Sequence, residues 1–255
     1  MNSLKRDFHL FNFGLGKEND NSDFYISSNM GLNLKKYDLL LFTDSKGINL
    51  YDDISWTRSI IEHLKEKYSI LFISRPKEMT VFFTLINFLK LNNIKFKYLI
   101  TNIGFVDTTP KKKEFINDIV GQNPFINKVL NKRYLCDYIL SSGQIAELYS
   151  LNYQNVIEDI ATYLSERFEK IFLLGTFVFT PEIKIKRKRP LEFYSQLEEA
   201  NRLIKSIAKN DDNFVFVDVN KKLSDNQEKL SYDAVHFTEV GHNKVYNMLK
   251  ENIDL

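Results

Sequence analysis

From Tyr37 onward the apolar residues fall into short unbroken runs, separated by longer stretches in which they recur at helical spacing. The runs Asp38 to Thr43, Ile70 to Ser74, Phe96 to Thr101, Lys170 to Phe177 and Asn213 to Val219 have the length and aliphatic content of strands covered on both faces. Between the first two, a helix capped by Asp52 or Asp53 is expected to run to Tyr68 with Ile54, Ile60, Ile61 and Leu64 inward. The stretch from Met79 to Leu91 is apolar nearly all round, which suits deep packing or a subunit interface. Glu114 to Phe168 reads as mainly helical, broken at Gly121 to Pro124 and at Ser141 to Gly143; further helical patterns cover Leu191 to Lys209 and Thr238 to Glu251.

Strands that alternate with helices need crossover connections, so the expected fold class is α/β, a three-layer sandwich around a five-stranded parallel sheet. The flavodoxin-like order 2-1-3-4-5 is the usual solution, and it sets the loops after the first and third strands side by side. Residues 1 to 35 read as an N-terminal extension that adds an edge strand or covers a face, and residues 36 to 255 as one α/β domain.

Composition narrows the picture by exclusion. Hydrophobic residues at 44%, charged residues at 27% and a formal charge of +2 describe an ordinary globular chain. The single cysteine, Cys136, rules out an internal disulfide framework and is expected to be a buried small hydrophobe. Four scattered histidines give no metal-ligand spacing, and nine glycines contain no phosphate or dinucleotide fingerprint, so neither a metal nor a cofactor is expected. The charged N-terminus does not read as a signal peptide and no stretch is long and apolar enough to span a membrane, so a cytoplasmic location without a membrane span is expected. The oligomeric state is not legible.

Candidate chemistry lies near the two ends of the domain. Asp233 precedes His236 by three residues, close enough for the carboxylate to accept from one ring nitrogen and leave the other as a base. Ser45 follows the first strand run in Thr43-Asp44-Ser45-Lys46-Gly47, at the kind of strand end where nucleophiles sit. After the third strand the chain reads Gly104-Phe105-Val106-Asp107. In a parallel sheet all three fall on one rim. His242 reads as a helix-face residue.

These blocks resemble the SGNH, or GDSL-like, hydrolase superfamily, with its Gly-Asp-Ser, Gly-x-Asn-Asp and Asp-x-x-His motifs; the match in order and strand context runs from about residue 37 to the end. The resemblance implies an SGNH-like domain with Ser45 as nucleophile, His236 as general base and then acid, and Asp233 orienting the imidazole. It implies an acyl-enzyme and either hydrolysis or acyl transfer on a hydroxyl, most naturally of a carbohydrate. The chain departs from the family in the oxyanion hole. Val106 stands where the third-block Asn belongs, and Ser74-Arg75-Pro76 offers no second-block glycine. Asn102, Arg75, Lys46 and the Gly47 amide are the candidate substitutes beside the Ser45 amide. The run Gly104-Phe-Val-Asp107, followed by Pro110 and Lys111, also resembles SGNH-like proteins of polysaccharide biosynthesis.

Two basic clusters, Lys111 to Lys113 and Lys184, Lys186, Arg187, Lys188 and Arg189, follow the third and fourth strands and point to an anionic part of the ligand, such as an acidic sugar. Nucleic acid is a weaker candidate, since no binding motif is present. Two other functions remain open from sequence: a catalytically weak binding protein of this fold, and a transferase using a phosphorylated or nucleotide-linked donor.

Overall fold

The structure, a computed structural model, describes residues 25–28, 37–47, 54–74, 89, 93–102, 110–114, 117, 135–139, 142–151, 153–178, 191–223, 227–233 and 235–253. Five parallel strands form its centre: β2 (Leu39–Thr43), β3 (Ile70–Ser74), β4 (Phe96–Thr101), β8 (Phe168–Leu174) and β9 (Phe214–Val217). Their spatial order is β3-β2-β4-β8-β9, the expected 2-1-3-4-5 arrangement, and β1 (Tyr25–Ser28) is added antiparallel to β3 at one edge. Parallel pairing aligns Leu39 with both Ile70 and Tyr98, so the C-terminal ends of β2, β3 and β4 finish together.

All five residues of β2 and of β3 are buried, as strands covered on both faces must be. Leu39, Leu41, Ile70, Phe72, Ile100 and Phe172 face one core together with α1 (Trp56–Leu64) and α6 (Glu239–Asn252). Leu40, Phe42, Leu71, Ile73, Leu99 and Ile171 point the other way and are equally buried. Beyond β8, α2 (Tyr153–Ser165) packs against both that strand and α3 (Leu191–Asn210), which in turn lies against β9. Two short helices, α4 (Val219–Leu223) and α5 (Gln227–Leu230), lead back to α6.

Several sequence expectations are corrected. Ser55, not Asp52 or Asp53, caps α1: its backbone is extended at φ −138 and its hydroxyl accepts from Arg58 N at 3.2 Å. The helix ends at Leu64, and Ile54 precedes it as an exposed residue, while Ile60, Ile61 and Leu64 are buried as expected. β8 and β9 both stop earlier than expected, at Leu174 and Val217, and Val219 already begins α4. The largest error concerns Glu114 to Phe168. There β6 (Leu135–Ile139) and β7 (Ile145–Leu151) form an antiparallel pair, joined by β5 (Lys111–Lys112) into a second, three-stranded sheet. The chain turns between the two strands at Ser142 and Gly143, with Gly143 at φ 81, a conformation that glycine adopts without steric penalty. Cys136 lies in this sheet and is exposed, so it is not the buried hydrophobe expected. The Met79 to Leu91 pattern lies outside the described residues except for buried Leu89.

Candidate active site

The rim at the C-terminal ends of the parallel strands collects the candidate chemistry. β2 ends at Thr43, and Ser45–Gly47 form a single 3-10 turn closed by Gly47 N donating to Asp44 O at 3.0 Å. The turn lies so close on β2 that a Cβ at Gly47 would sit 2.2 Å from Thr43 Oγ1; only glycine fits. The first turn of α1 pins its other side. Trp56 Nε1 donates to Lys46 O at 3.0 Å, and the Thr57 hydroxyl donates to Gly47 O at 2.5 Å. Ser45 is therefore presented by a segment held on both flanks, itself 5% exposed.

Asn102, the residue after β4, meets this turn from the neighbouring strand. Asp44 N donates to Asn102 Oδ1 at 3.1 Å, and Asn102 Nδ2 donates to Asp44 Oδ1 at 2.8 Å. The two bonds together leave one orientation for the amide. Asp44 Oδ1 also accepts from Lys46 N at 2.8 Å. Burial pushes the Asp44 carboxyl above its ordinary value, opposed by the Lys46 charge, the Lys46 N–H, the Asn102 amide and the charge of His236. His236 is thus near enough for its charge to act on Asp44, in the turn that holds Ser45.

The loop from Ser231 to Phe237 is a tight device. Ser231 and Phe237 form an antiparallel bridge, Tyr232 N donates to His236 O at 3.0 Å, and the Ser231 hydroxyl donates to the same carbonyl at 2.6 Å. Val235 and Phe237 are buried, anchoring both sides of the histidine. Within this frame Asp233 Oδ2 lies 3.1 Å from His236 Nδ1, while Asp233 Oδ1 accepts from the backbone N–H groups of Val235 and His236, each at 2.7 Å. Burial pushes the pKa of this carboxyl up, but the His236 ring, the two backbone donors and the charge of His236 overcome it and hold Asp233 at about 2. An ionised Asp233 accepts a hydrogen bond from Nδ1–H, which leaves Nε2 as the unprotonated ring nitrogen. Among the hydrogen bonds of the described residues, none joins Ser45 to His236.

His242 is not part of this rim. It lies on α6, 1% exposed, where Trp56 N donates to its Nδ1 at 3.4 Å and Phe237 meets it edge-on at 5.6 Å. A small cavity beside the Ser45 turn is lined by Lys46, Trp56, Asn102, Thr176, Phe177 and Phe237. Its far wall is clamped by two asparagines: Asn201 and Asn220 both donate to Thr176 O, at 2.7 and 3.0 Å, and Asn201 Oδ1 accepts from Thr176 N at 2.6 Å. Sequence reasoning missed this clamp. The only available signal was the polar pair placed after Gly175 and opposite it on α3 and α4.

Of the remaining candidates, Arg75, Gly104, Asp107, Arg187 and Arg189 lie outside the described residues, as do Lys184, Lys186 and Lys188. Lys111 and Lys112 are strand residues of the second sheet, and Lys113 pairs with Asp137 at 2.5 Å, so this cluster is not the open loop expected. Among the described residues no group of three or more His, Cys, Asp or Glu could hold a metal, and no helix is long and apolar enough to cross a membrane.

No protein-family model matches the chain, and no curated protein matches it. Solved structures do. The acetylxylan esterase Axe2 of Geobacillus stearothermophilus aligns with TM-score 0.52 at 14% identity, covering 85% of this chain and 94% of that one. An α/β hydrolase enzyme from the metagenome of Lake Arreo, Spain, aligns with TM-score 0.50 at 13% identity over 85% and 94%. TesA aligns with TM-score 0.50 at 15% identity over 85% and 97%. At these identities the likeness is one of fold: the chain shares the α/β architecture of an acetylxylan esterase and of an α/β hydrolase.

Proposed function

We propose that this chain, built on the SGNH/GDSL hydrolase fold, is a serine-dependent esterase or O-acyltransferase that acts on an acyl group carried by a carbohydrate hydroxyl. The observation that carries the reading is the Asp233–His236 pair, set at 3.1 Å with both carboxylate oxygens engaged, on the same rim as a serine fixed in a stapled turn. Ser45 Oγ attacks the acyl carbonyl carbon while its proton passes to His236 Nε2; the proton then goes to the departing alcohol as the ester C–O bond breaks. Water or a second hydroxyl resolves the acyl-enzyme by the same steps reversed.

The oxyanion needs donors that are in place beforehand. The Ser45 backbone N–H is one. Asn102 supplies the second: one Nδ2 hydrogen is spent on Asp44, and the amide plane fixed by that bond leaves the other to serve the rim. Asn102 thus takes the role that the Gly104 to Asp107 stretch, with Val106, does not provide. The carbohydrate assignment is supported by the fold likeness to an acetylxylan esterase. A catalytic mutant of that enzyme replaces a serine with alanine, consistent with a serine nucleophile on this fold.

The test is turnover of p-nitrophenyl acetate and of acetylated xylo-oligosaccharides by the wild type beside Ser45→Ala. Loss of both reactions in a folded Ser45→Ala protein is expected; equal activity in the two proteins overturns the reading.

A further inference from the structure

Tyr232, the residue before Asp233, is a large side chain left 38% exposed on the catalytic loop. Single exposed apolar residues are ordinary on protein surfaces; the position of this one is not. The pairing of the loop fixes its direction. Ser231 and Phe237 form the antiparallel bridge, and both are buried, so this pair points into the protein. The next residues outward, Tyr232 and His236, stand opposite each other, joined by Tyr232 N donating to His236 O at 3.0 Å. Successive residues of a strand point to opposite faces, and residues opposite each other in an antiparallel pair share one face. Tyr232 and His236 therefore project together on the outward face, where the Cβ atoms of such a pair lie about 4.5–5.5 Å apart. The exposure agrees, since the His236 side chain also reaches the surface, at 15%. The loop itself is held by other groups: the Ser231 hydroxyl on His236 O, and the buried Val235 and Phe237.

Resting on the reaction proposed above, we infer that the Tyr232 ring is a platform for the sugar ring that carries the acyl group, and that it sets which alcohols the site accepts. The reaction dictates the place. His236 Nε2 gives its proton to the departing alcohol oxygen, so that oxygen lies within hydrogen-bond reach of the imidazole as the C–O bond breaks. Asp233 occupies the Nδ1 side, and buried Val235 and Phe237 fill the space inward of the histidine. The carbon skeleton of the alcohol is left the outward face, which His236 shares with Tyr232. An aromatic ring offers an electron-rich face, and the C–H groups along one side of a sugar ring are slightly positive and poorly hydrated, so the two pack well. The phenol oxygen at the tip of tyrosine stays in water while its apolar body makes this contact. An alcohol without a ring gains nothing from such a platform, so Tyr232 favours sugar esters over simple alkyl esters.

The experiment compares wild type, Tyr232→Ala and Tyr232→Phe on acetylated xylo-oligosaccharides and on ethyl acetate, both followed by acid release in a pH-stat. The readout is the ratio of kcat/KM for the sugar ester to that for ethyl acetate. Damage to Ser45, to His236 or to the loop lowers both rates and leaves this ratio where it was. Tyr232→Ala should lower the ratio about 2- to 10-fold, the scale of one aromatic contact. The change should lie mainly in KM for the sugar ester, because a contact made equally before and during the reaction contributes to binding. Tyr232→Phe keeps the ring and should keep the wild-type ratio. The side chain is exposed, so neither substitution opens the core. A ratio unchanged in Tyr232→Ala overturns the inference, as does an equal fall in Tyr232→Phe. A second measurement needs no turnover: saturation-transfer NMR of xylotetraose with the Ser45→Ala protein. The ring protons of the sugar should receive saturation, and should lose most of it when Tyr232→Ala is added. Equal signals with and without Tyr232, or no signal in either protein, overturn the platform. If Ser45→Ala is as active as wild type, the serine reaction is rejected, and the xylotetraose signal still decides for or against Tyr232.

Discussion

Asp233→Asn is the most informative single change, because the surroundings of the carboxylate dictate how the amide must sit. Oδ1 receives two backbone N–H groups at 2.7 Å each, and only an oxygen can take that place. The new NH2 group must then face His236 Nδ1 and donate to it, which moves the imidazole proton to Nε2 and removes the base. In serine-triad enzymes the corresponding change costs about 10⁴ in kcat, equivalent to roughly 5.5 kcal/mol of barrier at about 1.36 kcal/mol per tenfold. A loss of about 10³ to 10⁴ is expected here, less than for Ser45→Ala. The same substitution reports on stability. The carboxyl is held at about 2 against an ordinary 3.8, a gap worth up to roughly 2.5 kcal/mol. Its folded pKa is depressed, so that stability is fully present above about pH 4 and disappears as pH falls through about 2. Urea titrations of wild type and variant at pH 7 should differ by about 1–2 kcal/mol, since the amide oxygen retains the backbone bonds, and the difference should shrink towards pH 2. The assay is kcat/KM on p-nitrophenyl acetate together with 15N spectra of the His236 ring. A folded variant within about threefold of wild type, or one whose ring still carries its proton on Nδ1, would refute the reasoning.

His236→Ala should abolish turnover of the same ester with the near-ultraviolet spectrum unchanged, because the ring is partly exposed and its neighbours Val235 and Phe237 carry the packing. Asn102→Ala should lower kcat by about 100- to 1,000-fold with little change in KM if its amide serves the oxyanion; an equal rise in KM alone would remove it from that role. Gly47→Ala should lower the melting temperature and the activity together, since the added methyl collides with Thr43; circular dichroism melting and the ester assay check this. Arg187→Glu combined with Arg189→Glu should raise KM for an acidic acylated oligosaccharide in a salt-dependent way, yet leave the neutral ester unaffected; no effect on either substrate would end the idea of an anionic ligand.

The parallel sheet and its order were legible because runs such as Leu39-Leu-Leu-Phe42 leave no polar face, and a strand of that kind has few places to go other than the middle of a covered sheet. The Asp233–His236 pairing was legible because three residues of separation suffice for both to meet in one loop. Asn102 could be named but not assigned, since its partner Asp44 is 58 positions away and comes into register only through the pairing of β2 with β4. The hairpin of β6 and β7 was misread because Tyr134 to Leu151 mixes apolar and polar residues without a clean period, and pairing to a partner strand, which local spacing does not encode, decided its form. Cys136 followed that error.

The antiparallel strand Tyr25–Ser28 has a consequence for handling the protein. It covers the outer side of Ile70-Leu-Phe-Ile-Ser74, five buried residues without a charge or a proline among them. A bare edge of that composition is a template for adding strands from other molecules. Cleavage or deletion that removes Tyr25–Ser28 should therefore leave Ser45, Asp233 and His236 chemically intact and yet turn a dispersed protein into one that self-associates, with light scattering rising in proportion to concentration before any ester assay registers a change.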